Sequence, residues 1–461
     1  MLYQRHRSWL IPAVIVLGVL FRLIGTVAND EANDNHMEVI HLMATQKRLP
    51  GHDELWEAFQ PPLYHVAAAA MIVALQPLSP EGEIVAAQAV SCIAGLLTLF
   101  ILINFIRSLP LSERTRDLAI ALTALNPVLI STSIQATNDV FVILFGTMAL
   151  AGGYRFFRNY GWGAFWTMTI GCVLACCSKG NGMVTAVAVL CTFIAILIRP
   201  TISRARAAAF AAAFVITLAV LVPFGGGYVS RHTEAGTPFQ INQEPSEPPH
   251  LFTETFDKRP GITSVFDGFF TFRLLDMLQD PILPTGNEDY PRHRTSMWSL
   301  LYGSSQSVHY FYYPPSWRSN RHIAEWLVRF AIVFSLLPMG VMVSGVVRNA
   351  ATVTQQTFVA ERPREWAPSL LMAFATLGFL AFIALYGYLY RDFATMKAIF
   401  VFPAAVAFAY CFVTEAERPG SELKRRIVGW MFGSAAILCL VYAADLTVLT
   451  RWIIKGLLVR M

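Results

Sequence analysis

The chain has 461 residues, 55% hydrophobic and only 14% charged, with a formal net charge of +5. A water-soluble chain of this length carries roughly a quarter charged residues, so the composition excludes an ordinary soluble fold and points to lipid as the solvent. The small positive excess gives no reason to invoke nucleic acid, and no nucleic-acid partner is expected. All seven cysteines (Cys92, Cys172, Cys176, Cys177, Cys191, Cys411 and Cys439) fall in apolar segments, as packing thiols do.

The first element follows "MLYQRHR" and reads "WLIPAVIVLGVLFRLIGTVA" over 9–28, long enough to cross a bilayer. It exceeds a signal-peptide core and no clear cleavage site follows it, so it reads as a retained anchor with the N-terminus cytoplasmic. The next apolar run, "PPLYHVAAAAMIVALQPL" at 61–78, is short and bounded by prolines. If it crossed, Arg107, Arg114 and Arg116 would lie outside. If it rests at the surface, the basic clusters at 107–116, 155–158, 199–206, 348–364 and 418–426 all fall inside. The second arrangement is adopted.

Eleven spans are then expected: 9–28, 84–107, 118–135, 139–157, 162–178, 183–199, 207–225, 323–347, 367–387, 397–414 and 427–449. The expected fold is an all-α integral membrane bundle forming a single domain over 1–461. Two large pieces face outward, 29–83 and 226–322. Three short turns share that side, near Asn138–Asp139, Lys179–Asn181 and Tyr388–Lys397. Ionisable groups at a membrane edge are costly and so suggest function, and those of the outer turns share one side.

Asp30 and Glu31 stand just outside the first span, in "NDEANDNH". A partly buried carboxylate there could act as general base toward a hydroxyl; a solvated loop ending a helix is the plainer reading. Met37, Ile40, His41 and Ala44 recur at helical spacing and suggest a short surface helix. His36 could orient a carboxylate, or, with Asp30, Glu31, Asn33 and Asp34, hold a divalent metal ion such as Mg²⁺ or Mn²⁺, although dense acids in a solvated loop are more often unligated, and the sequence requires no metal or other cofactor. "EAFQPPLYH" brings Glu57, Gln60 and His65 toward the same cavity, behind two prolines that stiffen the backbone.

"ATNDVF" puts Asn138 and Asp139 at a helix start, where capping explains them equally well. "CCSKGNGMV" sets Lys179 between two apolar segments, either snorkelling or meeting a lipid phosphate. In "YLYRDFATMKAIFVFP", Arg391 and Lys397 are six residues apart, and a lysine at a span start needs a negative partner. That partner could be Asp392 or a phosphate. No phosphate-binding GxxxxGK[ST] loop, HExxH zinc helix or GxSxG elbow occurs.

In this order, "NDEANDNH", "EAFQPPLYH", "ATNDVF", "SKGNGM" and "YRDFATMKAIFVFPA" resemble the GT-C glycosyltransferases, closest to the bacterial family 39 type. That type is related to protein O-mannosyltransferases and lipid A aminoarabinose transferases. The resemblance spans about residues 9–410. It implies an inverting transferase that uses a polyprenyl-phosphate-sugar lipid donor on the extracytoplasmic face. The acceptor would be a hydroxyl of a protein, lipid or glycan, and the location a bacterial inner membrane. Asp30 is implied as catalytic base with Glu31 beside it, and Lys397, Arg391 and Lys179 as donor-phosphate ligands. Two other readings stay open: a transporter or flippase of a lipid-linked substrate, and a ligase- or polymerase-type enzyme using a diphosphate-linked donor. The Trp and Tyr cluster at 298–317 would cover the sugar or form an interfacial belt.

Overall fold

A computed structural model describes residues 2–29, 35–51, 54–77, 79–200, 202–235, 264–279, 281, 295–306, 321–359, 363–390, 397–418 and 426–440. Among these the chain is helical and contains no strand. Asp30, Glu31, Asn33, Asp34, Arg391 and Asp392 lie outside the described residues, as does much of the expected 226–322 loop.

The helices in chain order are α1 (Leu2–Ala28), α2 (His36–Gln46), α3 (Leu63–Leu75), α4 (Pro80–Ser108), α5 (Glu113–Ala124) and α6 (Pro127–Ser133). Next come α7 (Asp139–Asn159), α8 (Trp162–Ser178), α9 (Gly182–Ile198), α10 (Arg204–Gly225) and α11 (Tyr228–Ala235). The outer segment contributes α12 (Val265–Phe270), α13 (Leu274–Gln279) and α14 (Met297–Gln306). Then follow α15 (Arg321–Val359), α16 (Pro363–Tyr390), a 3₁₀ helix η (Ala398–Ala404), α17 (Ala405–Glu417) and α18 (Arg426–Leu440).

Seven stretches are long and apolar enough to cross a membrane: 9–28, 80–108, 139–159, 204–225, 328–356, 366–389 and 398–417. The protein is therefore an integral membrane protein of multi-pass helical design. Helices α8 and α9, of 17 residues each, sit at the short end of the spanning range. Helix α3 has 13 residues, about 20 Å at 1.5 Å per residue, too short for a hydrocarbon core of about 30 Å.

The expected span at 118–135 is instead interrupted. Asn126 caps a new helix, its Oδ1 accepting Leu129 N–H at 3.0 Å, with Pro127 at the first helical position. Proline has no N–H to continue the preceding ladder, so α5 ends at Ala124 and α6 starts afresh. Hydropathy alone passes over such a break.

Helix α7 is the centre of the bundle, packing against α4, α8, α9, α16, η and α17. Its most apolar window is 83% buried, against 22% for α10, which therefore faces lipid. The α7–α8 contact is close because Gly171 lacks a side chain; a Cβ there would lie 2.6 Å from Ala149 N. Small residues of this kind let membrane helices approach backbone to backbone.

Helix α1 is fixed by a buried cation within its apolar run. Arg22 is fully buried; Nη1 donates to Gly18 O (2.9 Å) and Ala124 O (3.0 Å), and Nε to Ser133 Oγ (3.3 Å). Arg22→Ala is expected to cost about 3 kcal/mol, because bonds to a charged donor are lost and their acceptors stay buried. Thermal unfolding in detergent measures it; an unchanged midpoint would show that α1 does not depend on this residue.

The described part of the 226–322 segment, expected from the sequence to face outward and called the outer unit below, is a small docked unit. Arg273 pairs with Asp267, Arg273 N–H donates to Ser299 Oγ (2.7 Å), and Ser296 Oγ donates to Thr271 O (2.6 Å). Met297 and Leu300 of α14 pack on Ile383 of α16, with Phe400 and Val401 of η alongside. Tyr302 donates to Ile332 O and shares a hydrogen bond with Ser335 (2.7 Å), joining the unit to α15.

Candidate active site

Four elements end at one face of the bundle: the last turn of α1, the start of α7, the α8–α9 turn and the start of η. Asn29 closes α1, its N–H bonding Gly25 O (2.8 Å) while Nδ2 donates to Ile134 O (2.8 Å), just before α7. Gln88 Nε2 of α4 reaches the Asn29 carbonyl at 3.5 Å. These bonds hold the residue from which Asp30 continues.

Lys179 and Asp139, which the sequence offers as separate residues, form one ion pair. Lys179 Nζ lies 2.8 Å from Asp139 Oδ1, with side chains 14% and 5% exposed. Thr137 Oγ1 donates to Asp139 Oδ2 (3.3 Å), satisfying the second oxygen. The ammonium also stands 5.0 Å from the centre of the Phe400 ring in η, a cation–π distance. A buried pair is costly to desolvate and tolerable only with this support. Because Asp139 opens α7, its charge also lies at the positive end of that helix.

Asn138 is fully buried, and neither amide atom has a partner among the described residues. Its side chain does not cap α7. An unmet buried amide costs about 1–3 kcal/mol, which a bound hydroxyl or water would recover. Asn181, at the corresponding place on α9, donates Nδ2 to Phe400 O at 3.3 Å.

The histidines of the segment between α1 and α4 meet across it. His36 Nδ1 lies 3.0 Å from His65 Nε2, and 3.9 Å from Glu57 Oε2. All three residues are buried. In a hydrogen bond between two imidazole nitrogens one donates and one accepts, so these two nitrogens share a single proton. Tyr64 packs edge-on against His65 and sends its hydroxyl to Ser91 Oγ at 2.9 Å, seating α3 on α4. Outside this group, His41 Nδ1 meets Glu83 Oε2 at 2.8 Å. Gln60 is half-buried, its N–H closing a turn on Glu57 O (3.1 Å); among the described residues its side chain makes no hydrogen bond.

Burial, and then the charges of His36 and Lys179, hold the His65 imidazole well below its ordinary value of 6.5. Unfolded, His65 takes up a proton as pH falls through 6.5; folded, it stays neutral. Its contribution to stability is therefore complete above that pH and lost as pH falls toward the depressed folded value. Protection of the α2–α3 amides from hydrogen exchange is expected to weaken between pH 7.5 and about 5.5. His65→Asn should flatten that dependence, and equal slopes in the two proteins would refute it.

Lys397 is half-buried and immediately precedes η. The Ala398 N–H donates to Ser304 Oγ of the outer unit at 3.0 Å. Helices α9 and η thus both begin beside Phe400, so Lys179 and Lys397 flank one short piece of backbone. Among the described residues no group of three or more His, Cys, Asp or Glu is placed to hold a metal ion. The sequence candidates Asp30, Glu31, Asn33 and Asp34 lie outside the described residues. The sequence assigns no role to Arg22, Asn29, Tyr64, Asn181 or Ser304. Arg22 stands out as one charge within an apolar run, and Asn29, Tyr64 and Asn181 lie within the quoted motifs, while Ser304 carries no local signature.

Residues 69–228 match the family model of dolichyl-phosphate-mannose-protein mannosyltransferase. No curated protein sequence matches the chain. Among solved structures, ArnT from Cupriavidus metallidurans in the apo state aligns over 89% of this chain and 77% of its own, at 12% identity and TM-score 0.40. The same enzyme bound to undecaprenyl phosphate aligns over 89% and 78%, at 13% identity and TM-score 0.38. The Archaeoglobus fulgidus oligosaccharyltransferase, tethered to an acceptor peptide containing the NVT sequon, aligns over 96% of this chain and 55% of its own. The identity there is 13% and the TM-score 0.46. The protein is thus a multi-pass membrane protein, and part of it, from within α3 to the start of α11, is similar to the dolichyl-phosphate-mannose-protein mannosyltransferases.

Proposed function

We propose that this protein is an inverting glycosyltransferase. It moves a sugar from a polyprenyl-phosphate donor to a hydroxyl acceptor at the extracytoplasmic face, in a membrane such as the bacterial inner membrane with the N-terminus cytoplasmic. The observation that carries the reading is the ion pair between half-buried Lys179 and buried Asp139, set at the bundle face where α1 ends and the segment after Lys397 begins. The family model over 69–228 supports it, since its description names a lipid-phosphate-linked sugar as donor and a protein as acceptor. The transporter alternative gains nothing from these observations.

In this reading Asp30 removes the proton of the acceptor hydroxyl, with Glu31 as its neighbouring acid. The acceptor oxygen bonds to the anomeric carbon while the bond from that carbon to the phosphate oxygen breaks. The leaving polyprenyl phosphate is already stable as an anion at neutral pH, so cations suffice to stabilise it. Lys397 and Arg391 supply that charge, with Lys179 nearby. Asn138, Glu57 and the His36–His65 pair line the polar side of the cavity, and the isoprenoid tail lies in lipid-facing grooves.

Proteoliposomes holding the full chain, a defined polyprenyl-phosphate mannose and separate peptide, glycolipid and oligosaccharide acceptors test the reading. Sugar transfer with inversion, and release of polyprenyl phosphate, are expected with one acceptor class. Lys397→Ala should raise the donor KM by about tenfold or more, as loss of a charge-assisted contact does. No release with any acceptor, or an unchanged donor KM in the variant, would overturn it.

A further inference from the structure

The segment that follows Lys397 is an unstable kind of helix held from outside. A 3₁₀ helix has poor hydrogen-bond geometry and rarely runs beyond three or four residues, yet η has seven, with Pro403 among them. Its first N–H groups are orphans, as at any helix start, and Lys397 provides no capping side chain.

Ser304, 94 residues earlier on α14, takes that role. Its Oγ accepts the Ala398 N–H at 3.0 Å and donates onward to Leu300 O at 2.6 Å, so its hydrogen is already committed and its lone pair faces η. On the other side, Asn181 Nδ2 holds Phe400 O at 3.3 Å. Asn181 is two residues from Lys179, whose ammonium sits over the same Phe400 ring. Further along η, Gly146 of α7 admits the backbone so closely that a Cβ would stand 2.6 Å from Pro403 O. The first turn of η is therefore clamped by one side chain from the outer unit and one from the α8–α9 turn.

We propose that Ser304 and Asn181 are positioning residues that fix Lys397 relative to Lys179, and that Ser304 makes this spacing depend on docking of α14. The proposal rests on the reading of both lysines as donor-phosphate ligands. It ties donor binding to the outer segment without requiring that segment to touch the phosphate. Serine is suited to the task because its hydroxyl accepts from η while donating to its own helix; alanine leaves the Ala398 N–H buried and unpaired.

The test uses the full chain in proteoliposomes, as wild type, Ser304→Ala, Ser304→Thr and Asn181→Ala. Backbone hydrogen exchange over 397–404 reads the clamp itself, and donor KM against kcat reads its use. Faster exchange in Ser304→Ala and Asn181→Ala is expected, with a donor KM raised about tenfold, as one lost buried hydrogen bond gives. The acceptor KM should be unchanged, and the hydroxyl of Ser304→Thr should restore both readouts. Exchange over 397–404 that stays at the wild-type rate in both truncations refutes the clamp. Faster exchange with an unaltered donor KM refutes positioning. A wild type that neither binds polyprenyl phosphate nor transfers sugar defeats the functional reading, and exchange then still decides whether the clamp exists.

Discussion

Asp30→Asn is expected to reduce sugar transfer by about 10²–10⁴-fold, the range that a positioned general base contributes, while donor affinity stays within about twofold. Asparagine keeps the size and much of the hydrogen bonding of aspartate but cannot take the acceptor proton. The residue before it is anchored, with Asn29 bonded to Ile134 O and its own carbonyl to Gln88. Glu31→Gln should have the smaller effect. Transfer at the wild-type rate would remove Asp30 as the base. Loss of donor affinity in place of turnover would instead assign it to binding.

Lys179→Met should be damaging twice over. It leaves the Asp139 carboxylate buried with its cation gone, and breaking a buried pair from one side costs about 3–5 kcal/mol. It also removes a cation from the face where the phosphate is proposed to leave. Pairing it with Asp139→Asn separates the two effects. The double variant should regain most of the lost stability, since no unpaired charge remains, but not the lost transfer. Unfolding midpoints in nanodiscs and donor turnover, measured on the same preparations, give the answer. Recovery of both would make the pair purely structural; recovery of neither would mean that Asn138, Thr137 and Phe400 cannot accommodate a neutral replacement.

The spans were legible because lipid imposes a single crude requirement, about 20 apolar residues in a row. The same crudeness hid the α5–α6 break, although "LNPV" contains both the capping asparagine and the proline that cause it. Glu57 and His65 point to one cavity in the sequence because they bracket a proline-stiffened turn, and the structure brings His36 to within 4 Å of each of them. Asp139 and Lys179 each stood out as a charge at a membrane edge. Their pairing did not, because 40 residues and two helices separate them and only the α7–α8 packing sets the distance. Ser304 was invisible for a related reason. One serine among several in "LLYGSSQS" has no distinguishing pattern until η is seen to need an acceptor.

Helix α15 runs for 39 residues, about 58 Å at 1.5 Å per residue, against a bilayer of about 40–45 Å including headgroups. It carries the outer unit at one end, through Tyr302 and through Arg329 bound to Leu278 O (2.8 Å). Toward its other end Arg348 meets Glu415 (2.8 Å) and Gln356 O accepts Arg199 (2.6 Å). A shaft longer than its medium must lean, bend at Pro338 or protrude. Thinner and thicker bilayers will therefore set it at different angles, and lipid chain length becomes a dial on how the α12–α14 unit sits against η and the proposed site.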